Sequence, residues 1–215
     1  MVKTHKTDVL MIVPLHGDWP FYWLGDCSVL EMLLRKLEDI REINRIAIMY
    51  PKAKTNDYIT QVGDCLAIMD EAPYEQYEYI NQPQTWPDYY RVWQGQAGAT
   101  AQRHIVCNPA FPFLDQDKIA QMVYALVSDT KTVVAAVPGQ VVGEHGKSVG
   151  DGYLIPAACM GMQHEIWKLL NAGNHELLLD PRHRKIFKLD FMETVDVRTP
   201  KGREMAQNLS ACGLT

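Results

Sequence analysis

An asparagine directly follows a short apolar stretch in the middle of the chain, in a position that suits recognition of a small ligand. Residues 105–107 predict a buried strand, and Asn108 and Pro109 begin a proline-flanked turn that runs to a helix start at Asp115. In an open parallel sheet, ligands usually bind in the crevice beyond the carboxyl ends of the strands. An amide there offers both a donor and an acceptor, which can read a ribose or sugar hydroxyl. The alternative is that Asn108 and the prolines only shape the turn.

A second candidate pair, Asp196 and Arg198, lies at the end of a predicted strand over residues 191–197. A carboxylate in such a position can hold Mg²⁺ beside a phosphate, because that ion commonly uses one or two carboxylates together with water and substrate oxygens. Residues two apart on a strand point to the same side. Arg198 could therefore form an ion pair with Asp196, in competition with a metal, or could itself contact a phosphate or a carboxylate.

The long loop after the first predicted strand, residues 15–27, is a candidate phosphate-binding segment. Such loops in doubly wound folds hold phosphates through backbone N–H groups and cations. We expect Pro14, Leu15, His16 and Gly17 to lie against a nucleotide. The loop contains no lysine or arginine, so a histidine is its only side chain that can become cationic. The alternative is a loop held by aromatic packing, since it also carries Trp19, Phe21, Tyr22 and Trp23.

Hydrophobic periodicity predicts an alternation of strands and helices along most of the chain. The predicted strands cover residues 8–14, 45–50, 77–80, 105–107, 132–137 and 191–197. The predicted helices cover residues 28–37, 56–69, 85–98, 115–126, 162–170 and 199–211. Ser28 with Glu31 forms a capping box, Asp115 is a further cap, and Pro200 suits a first helical turn. The pattern predicts a three-layer α/β/α sandwich with a mostly parallel sheet.

A glycine-rich stretch over residues 143–152 interrupts this alternation and predicts a hairpin or arm around residues 139–158. We expect this excursion to belong to a single domain spanning 1–215, because a chain of 215 residues suits one domain with a full hydrophobic core. A lid or a homodimer contact is the role that we predict for it.

Composition and charge argue against several classes of function. A net charge of -5 argues against a broad nucleic-acid surface, although a local basic pocket could hold phosphates. Since no run approaches the roughly 18 apolar residues of a membrane span, we expect no membrane segment. Five scattered cysteines without a Cys-x-x-Cys spacing predict free thiols and a cytoplasmic location. The basic run His183, Arg184 and Lys185 could face an anionic substrate or only solvent.

Three segments, taken in order, resemble the cytidylyltransferase-like branch of the nucleotidyltransferases with the GT-A-like, nucleotide-diphospho-sugar transferase fold. This branch includes the synthetases of CMP-activated sialic acid and related sugar acids. Residues 11–14 together with 24–33 are similar to the family's first strand, signature loop and following helix start. Residues 105–113 are similar to a central segment of the sialic-acid synthetases, and residues 194–200 with 205–206 are similar to the closing motif.

The resemblance implies transfer of CMP from CTP to a sugar or sugar acid, with Mg²⁺ as cofactor and release of pyrophosphate. It places Asn108 where the family has a glutamine near the substrate, and Asp196 on the first metal-binding aspartate. His16 and Gly17 fall in the loop that wraps CTP. Arg198 stands where the second metal aspartate is expected, and its implied role is to neutralise the leaving group.

Two other functions stay open at this point. A non-catalytic paralogue that binds a nucleotide, a sugar or a protein partner would account for the cation-free loop and for Arg198. A GT-A glycosyltransferase would need an Asp-x-Asp metal motif in mid-chain, whereas Asp64, Asp70 and Asp88 are isolated.

Overall fold

The fold is seen in a computed structural model, which describes residues 9–15, 17–51, 55–66, 74–79, 101–128, 130–136, 138–142, 148–153, 158–166 and 184–214. His16 and the predicted helix over residues 85–98 lie outside the described residues. The described strands are β1 (Val9–Pro14), β2 (Trp23–Leu24), β3 (Cys27–Ser28), β4 (Arg45–Pro51), β5 (Tyr74–Tyr79), β6 (Arg103–Cys107), β7 (Thr132–Ala136), β8 (Pro138–Val142), β9 (Ser148–Tyr153), β10 (Cys159–Gln163) and β11 (Arg184–Lys188).

Seven of these strands form one mixed sheet in the order β11-β7-β10-β6-β1-β4-β5. Strand β1 runs parallel to both β4 and β6, β4 runs parallel to β5, and β7 runs parallel to β11. Strand β10 is antiparallel to its neighbours β6 and β7. The predicted α/β fold with a mostly parallel sheet is therefore confirmed.

The central strands are buried on both faces of the sheet. All six residues of β1 and all five of β10 are buried, and they are mostly apolar. A strand whose alternate side chains are all buried must be covered on both sides, which is the usual state of a parallel sheet. The sheet is thus the middle layer of a three-layer sandwich, and the core fills both of its faces.

Three of the four described α-helices begin after a capping side chain, and two of these caps, Ser28 and Asp115, are predicted from the sequence. Ser28, Asp115 and Thr199 each accept a backbone N–H of the first helical turn on a side-chain oxygen, at 3.0–3.3 Å. These bonds satisfy amides that have no partner within the helix, so the helix starts are fixed locally. The helices are α1 (Val29–Glu38), α2 (Thr55–Leu66), α3 (Gln116–Val127) and α4 (Pro200–Ala211).

The predicted helix over residues 162–170 is wrong at its start. Residues 159–163 form β10, and only residues 164–166 of the described part are helical. A short apolar run of this kind has no clear period, so burial between two strands decides its conformation. Gly161 allows that close packing, because an added Cβ would lie 2.6 Å from Leu126 Cδ1 and 2.7 Å from Ile105 Cγ1.

The predicted last strand over residues 191–197 is also wrong. Met192–Thr194 form a short 3₁₀ helix, and the last described strand is β11, at the sheet edge. In strand β11, Lys185 and Phe187 share one face, with 5.0 Å between the Lys185 Nζ and the centroid of the Phe187 ring, and Lys188 points to the other face. Arg184 and Lys185, two residues of the basic run, belong to this edge strand.

Two small hairpins lie outside the main sheet. Strands β2 and β3 pair antiparallel after β1, and β8 and β9 pair antiparallel within the region of the predicted excursion over residues 139–158. Among the helices that the structure describes, none is long and apolar enough to span a membrane.

Candidate functional site

The candidate site lies at the sheet edge where β1 and β6 end side by side. Because the two strands are parallel neighbours, Leu15 and Asn108, which follow them, start from the same edge. Pro14 and Leu15 are fully inside the protein, and the Leu15 N–H donates to the Met49 carbonyl at 2.7 Å. The first residues after β1 are therefore held by the neighbouring strand β4.

Asn108 forms the turn at the end of β6 with its own side chain. Its Oδ1 accepts the Ala110 N–H at 3.0 Å, and its backbone N–H donates to the Ala158 carbonyl at 2.9 Å. The residue is only 7% exposed, and Pro109 beside it is buried. The oxygen of the amide shapes the turn, so recognition of a ligand hydroxyl would fall to the NH₂ group.

The closing segment is bonded to this turn. The Val197 N–H donates to the Ala110 carbonyl at 3.0 Å, and the Arg198 guanidinium carbon lies 5.6 Å from the centroid of the Phe111 ring. Asn108 and Asp196, which are far apart in the sequence, are thereby brought to one place in the fold. Sequence reasoning placed both near a ligand, although it assigned Asp196 to a strand.

Asp196 and Arg198 form a bidentate ion pair. Asp196 Oδ1 accepts the Arg198 backbone N–H at 2.9 Å and Nε at 2.9 Å, and Oδ2 accepts Nη2 at 2.7 Å and Nε at 3.1 Å. The two side chains are 23% and 30% exposed. Arg198 thus makes four contacts with the carboxylate through three N–H groups, because the single Nε–H is shared between the two oxygens.

The residues around Asp196 do not fit a divalent cation. A metal would have to displace charge-assisted bonds to Arg198 and would then lie next to the guanidinium charge. Within the described ranges, no group of three or more His, Cys, Asp or Glu side chains is placed to hold a metal ion. The Mg²⁺ that the resemblance implies at Asp196 therefore has no ready ligand set in this pair.

The loop after β1 is packed against the rest of the protein. Tyr58 on α2 donates its hydroxyl to the Gly17 carbonyl, and Trp19 is 7% exposed. Burial raises the pKa of Tyr58 to about 12, so this hydroxyl stays protonated and keeps donating at neutral pH. Gly17 itself is exposed, with φ of 70°, and Trp23 is 66% exposed.

The second half of this loop, with the β2–β3 hairpin, docks on α4. Arg203 lies 5.4 Å from the centroid of the Tyr22 ring, and its Nη1 donates to the Tyr22 hydroxyl at 3.4 Å. At the hairpin turn, a Cβ added to Gly25 would lie 2.7 Å from Ser210 Oγ. Helix α4 thus supports both the aromatic loop and, at its start, the Asp196–Arg198 segment.

Sequence reasoning missed Lys36, which binds the later part of the turn that begins at Asn108. The charge pattern of α1 places Lys36 with the solvent-facing residues, yet its Nζ donates to the carbonyls of Pro112 and Leu114 at 2.7 and 3.1 Å. Burial lowers the pKa of this amine. The sequence does contain a signal for this contact, because the turn includes two prolines. Proline has no backbone N–H, so carbonyl groups of such a turn need donors from elsewhere in the protein.

A cleft of 750 Å³ borders the same turn on the side of Lys36. Its lining includes Phe113, Phe191, Met192 and Leu214, together with Asp115 and Asp190. The predicted site residues Asn108, Asp196 and Arg198 do not line it. The cleft and the candidate site are therefore two separate features of this end of the molecule.

Comparisons with known proteins place the fold. No protein-family model matches the sequence, and no curated protein matches it. Among solved structures, the chain is similar to a 4-diphosphocytidyl-2C-methyl-D-erythritol synthase from Anaerococcus prevotii, with 12% identity over 93% of this chain and 94% of that one, and a TM-score of 0.68. It is also similar to a CMP:2-keto-3-deoxy-manno-octonic acid synthetase complexed with CTP, with 9% identity over 96% and 99% of the two chains and a TM-score of 0.67.

A third similar structure is that of Rv0371c from Mycobacterium tuberculosis in complex with manganese, with 13% identity over 94% and 98% of the two chains and a TM-score of 0.62. The likenesses extend over nearly the full length of each chain. They show that this chain has a cytidylyltransferase-like α/β fold in a divergent sequence, as the three segments predicted. At 9–13% identity they show the fold alone.

Proposed function

We propose that this chain is a nucleotidyltransferase that binds a nucleoside triphosphate, with CTP favoured, at the carboxyl edge of β1 and β6. The observation that carries the proposal is the bond between the Val197 N–H and the Ala110 carbonyl, which joins the Asp196–Arg198 segment to the Asn108 turn. Ligands in open α/β sheets bind at this edge. One solved structure with the same fold is a synthetase in complex with CTP.

The proposed reaction transfers CMP to a sugar or sugar acid. An acceptor hydroxyl oxygen forms a bond to the α-phosphorus, the bond from that phosphorus to the α–β bridging oxygen breaks, and pyrophosphate leaves with the electron pair. The proton of the hydroxyl passes to solvent water. Catalysis of this type rests on positioning and on stabilising charge. Asn108 would donate its NH₂ to a ribose or sugar hydroxyl, the backbone of the exposed Gly17 would face the phosphates, and Arg198 would contact phosphate oxygens.

A second candidate function, a non-catalytic paralogue that binds a nucleotide, sugar or protein, is favoured by the packing of the loop. Trp19 is buried, Tyr22 contacts Arg203, and the loop has no lysine or arginine to meet a triphosphate. A loop held in this way has little freedom to close over a ligand. Binding without turnover is the behaviour that this second candidate predicts.

The first test is a thermal-shift panel with CTP, UTP, GTP and ATP, combined with an assay of pyrophosphate release in the presence of sugar acids. A ligand at 100 times its dissociation constant stabilises the folded state by about 2.7 kcal/mol, which gives a clear rise in melting temperature. We expect CTP to give the largest rise. If no nucleotide shifts the melting temperature, the proposal is wrong, and binding without pyrophosphate release would support the second candidate.

Asn108→Asp tests the site without breaking the turn. The aspartate keeps an oxygen for the Ala110 N–H but removes the NH₂ donor, so we expect CTP to bind at least about tenfold more weakly, a loss of about 1.4 kcal/mol. Asn44→Asp is the matched control. Asn44 Oδ1 likewise accepts a backbone N–H, that of Val9 at 3.0 Å, but at the amino end of β1. Equal CTP affinity in both variants would remove Asn108 from the site.

A further inference from the structure

In the Asp196–Arg198 pair, the carboxylate holds the guanidinium group in one place and leaves some of its N–H groups unused. Both oxygens of the carboxylate accept bonds from this arginine, while the Nη1 of Arg198 and the second N–H of Nη2 take no part in the bonds to Asp196. Up to three donors of the guanidinium therefore remain for another acceptor. Arginine presents such donors in a planar fork that suits phosphate and carboxylate groups.

The guanidinium is also held in position before any ligand arrives. Asp196 binds one edge of it, and Phe111 lies against it, with 5.6 Å between the guanidinium carbon and the ring centroid. The Asp196 backbone is fixed in turn, because its carbonyl accepts the Thr199 N–H at 3.1 Å and the Thr199 hydroxyl at 3.0 Å. A donor that is already ordered loses little conformational entropy when an anion binds.

We infer that Arg198 takes the place of a divalent cation at this site, so that Asp196 binds no metal and anion binding here needs none. The inference rests on the proposed function, since it specifies how the same site supplies positive charge. It corrects what the resemblance implies about Mg²⁺: the carboxylate remains in place, but its partner is a side chain of this chain.

The test measures metal binding in the absence of nucleotide. Mn²⁺ is titrated into the wild-type chain, Arg198→Asp and Arg198→Asn, and the free ion is followed by its electron paramagnetic resonance signal. We expect the wild type and Arg198→Asn to leave the free Mn²⁺ signal unchanged. Arg198→Asp places a second carboxylate beside Asp196 and removes the competing charge, so we expect it to bind one Mn²⁺ per chain. Circular dichroism and melting curves check that each variant is folded.

Two results would overturn the inference. One is Mn²⁺ binding by the wild type that Asp196→Asn abolishes, a result that does not depend on the stability of Arg198→Asp. The other is a folded Arg198→Asp variant that binds no Mn²⁺.

A second arm compares CTP binding to the wild type with Mg²⁺ and with EDTA. We expect dissociation constants that agree within about twofold, and a loss of at least about tenfold in Arg198→Gln. CTP binding that requires Mg²⁺ would also contradict the inference. Complete absence of CTP binding would instead contradict the proposed function, and the Mn²⁺ titration, which contains no nucleotide, would still decide the inference.

Discussion

At the scale of single residues, Gly202 is the glycine with least room for a side chain in the part of the chain that the structure describes. An added Cβ would lie 1.9 Å from the Asp196 carbonyl oxygen and 2.8 Å from Thr199 Oγ1. We expect Gly202→Ala to lower the free energy of unfolding by about 2–3 kcal/mol, because the first turn of α4 must move away from the Asp196 segment. Urea denaturation measures the change, and CTP binding should weaken with it.

Gly63 provides the matched control for this prediction. It lies exposed in α2, and an added Cβ would meet no atom within 4 Å. In an open helical position, alanine is favoured over glycine by up to about 1 kcal/mol, so Gly63→Ala should stabilise the protein or leave it unchanged. A Gly202→Ala variant as stable as Gly63→Ala would show that α4 can shift without cost.

At the scale of elements, the short 3₁₀ helix before the Asp196 segment is fastened through the buried Glu193. One oxygen of its carboxylate accepts the Asp115 N–H at 3.0 Å, and the other accepts the Asp190 N–H at 2.6 Å together with the Lys118 ammonium. Glu193 is 4% exposed. A single side chain thus ties the closing segment to the start of α3.

We expect Glu193→Gln to lower the free energy of unfolding by about 3 kcal/mol, because it leaves the Lys118 charge with only the exposed Asp190 carboxylate, at 3.9 Å, and because the new amide NH₂ cannot accept the N–H bonds that the lost oxygen accepted. Glu165→Gln is the control, since the Lys131–Glu165 pair is largely exposed and should contribute less than about 1 kcal/mol. Denaturant titration of both variants gives the comparison. Equal losses in the two variants would contradict the role assigned to Glu193.

The sequence predicts elements well where their signals are local. Ser28 and Asp115, the predicted caps, each accept a backbone N–H within one turn, so residue type and spacing suffice. Strand β10 has no such local signal, because a short apolar run is compatible with a strand or a helix. Its pairing with β6 and β7 determines that it is a strand. A short segment of sequence does not show which distant strands it will pack against.

The candidate site shows the same division. The place of Asn108 after a strand follows from the sequence, but the choice between metal and ion pair at Asp196 does not. In a strand, the side chains of residues 196 and 198 would lie on the same face, which does not by itself bring them into contact. In the observed turn, the Arg198 backbone N–H also reaches Asp196 Oδ1, which is the geometry of an Asx turn and draws the guanidinium onto the carboxylate.

At the scale of the whole molecule, His104 makes stability depend on pH. It lies in β6 with 0% exposure, and burial, with the nearby His164 and Arg45, lowers its pKa to about 3. The unfolded chain, with a pKa near 6.5, therefore takes up a proton at a pH where the folded protein does not. This contribution to stability is complete above about pH 6.5 and is lost progressively as pH falls toward 3.

We expect the free energy of unfolding to fall by about 2 kcal/mol between pH 6.5 and pH 5 because of this one group. In His104→Leu that part of the pH dependence should disappear, whatever the variant costs at neutral pH. Urea denaturation at several pH values measures both slopes. Parallel pH profiles for the wild type and His104→Leu would rule out His104 as the source.

The antiparallel strand β10 has a consequence for the order of events during synthesis. Strands β1, β4, β5 and β6 are complete once Cys107 has been made, but β6 receives its second neighbour only when β10 follows, about fifty residues later. At roughly 5–20 residues per second, a ribosome needs several seconds to cover that distance. During this interval β6 has an open edge of unpaired amides and carbonyls, which is a template for another nascent chain. Strand β10, which joins β6 to β7, thus also closes the edge of β6 on which another chain could pair.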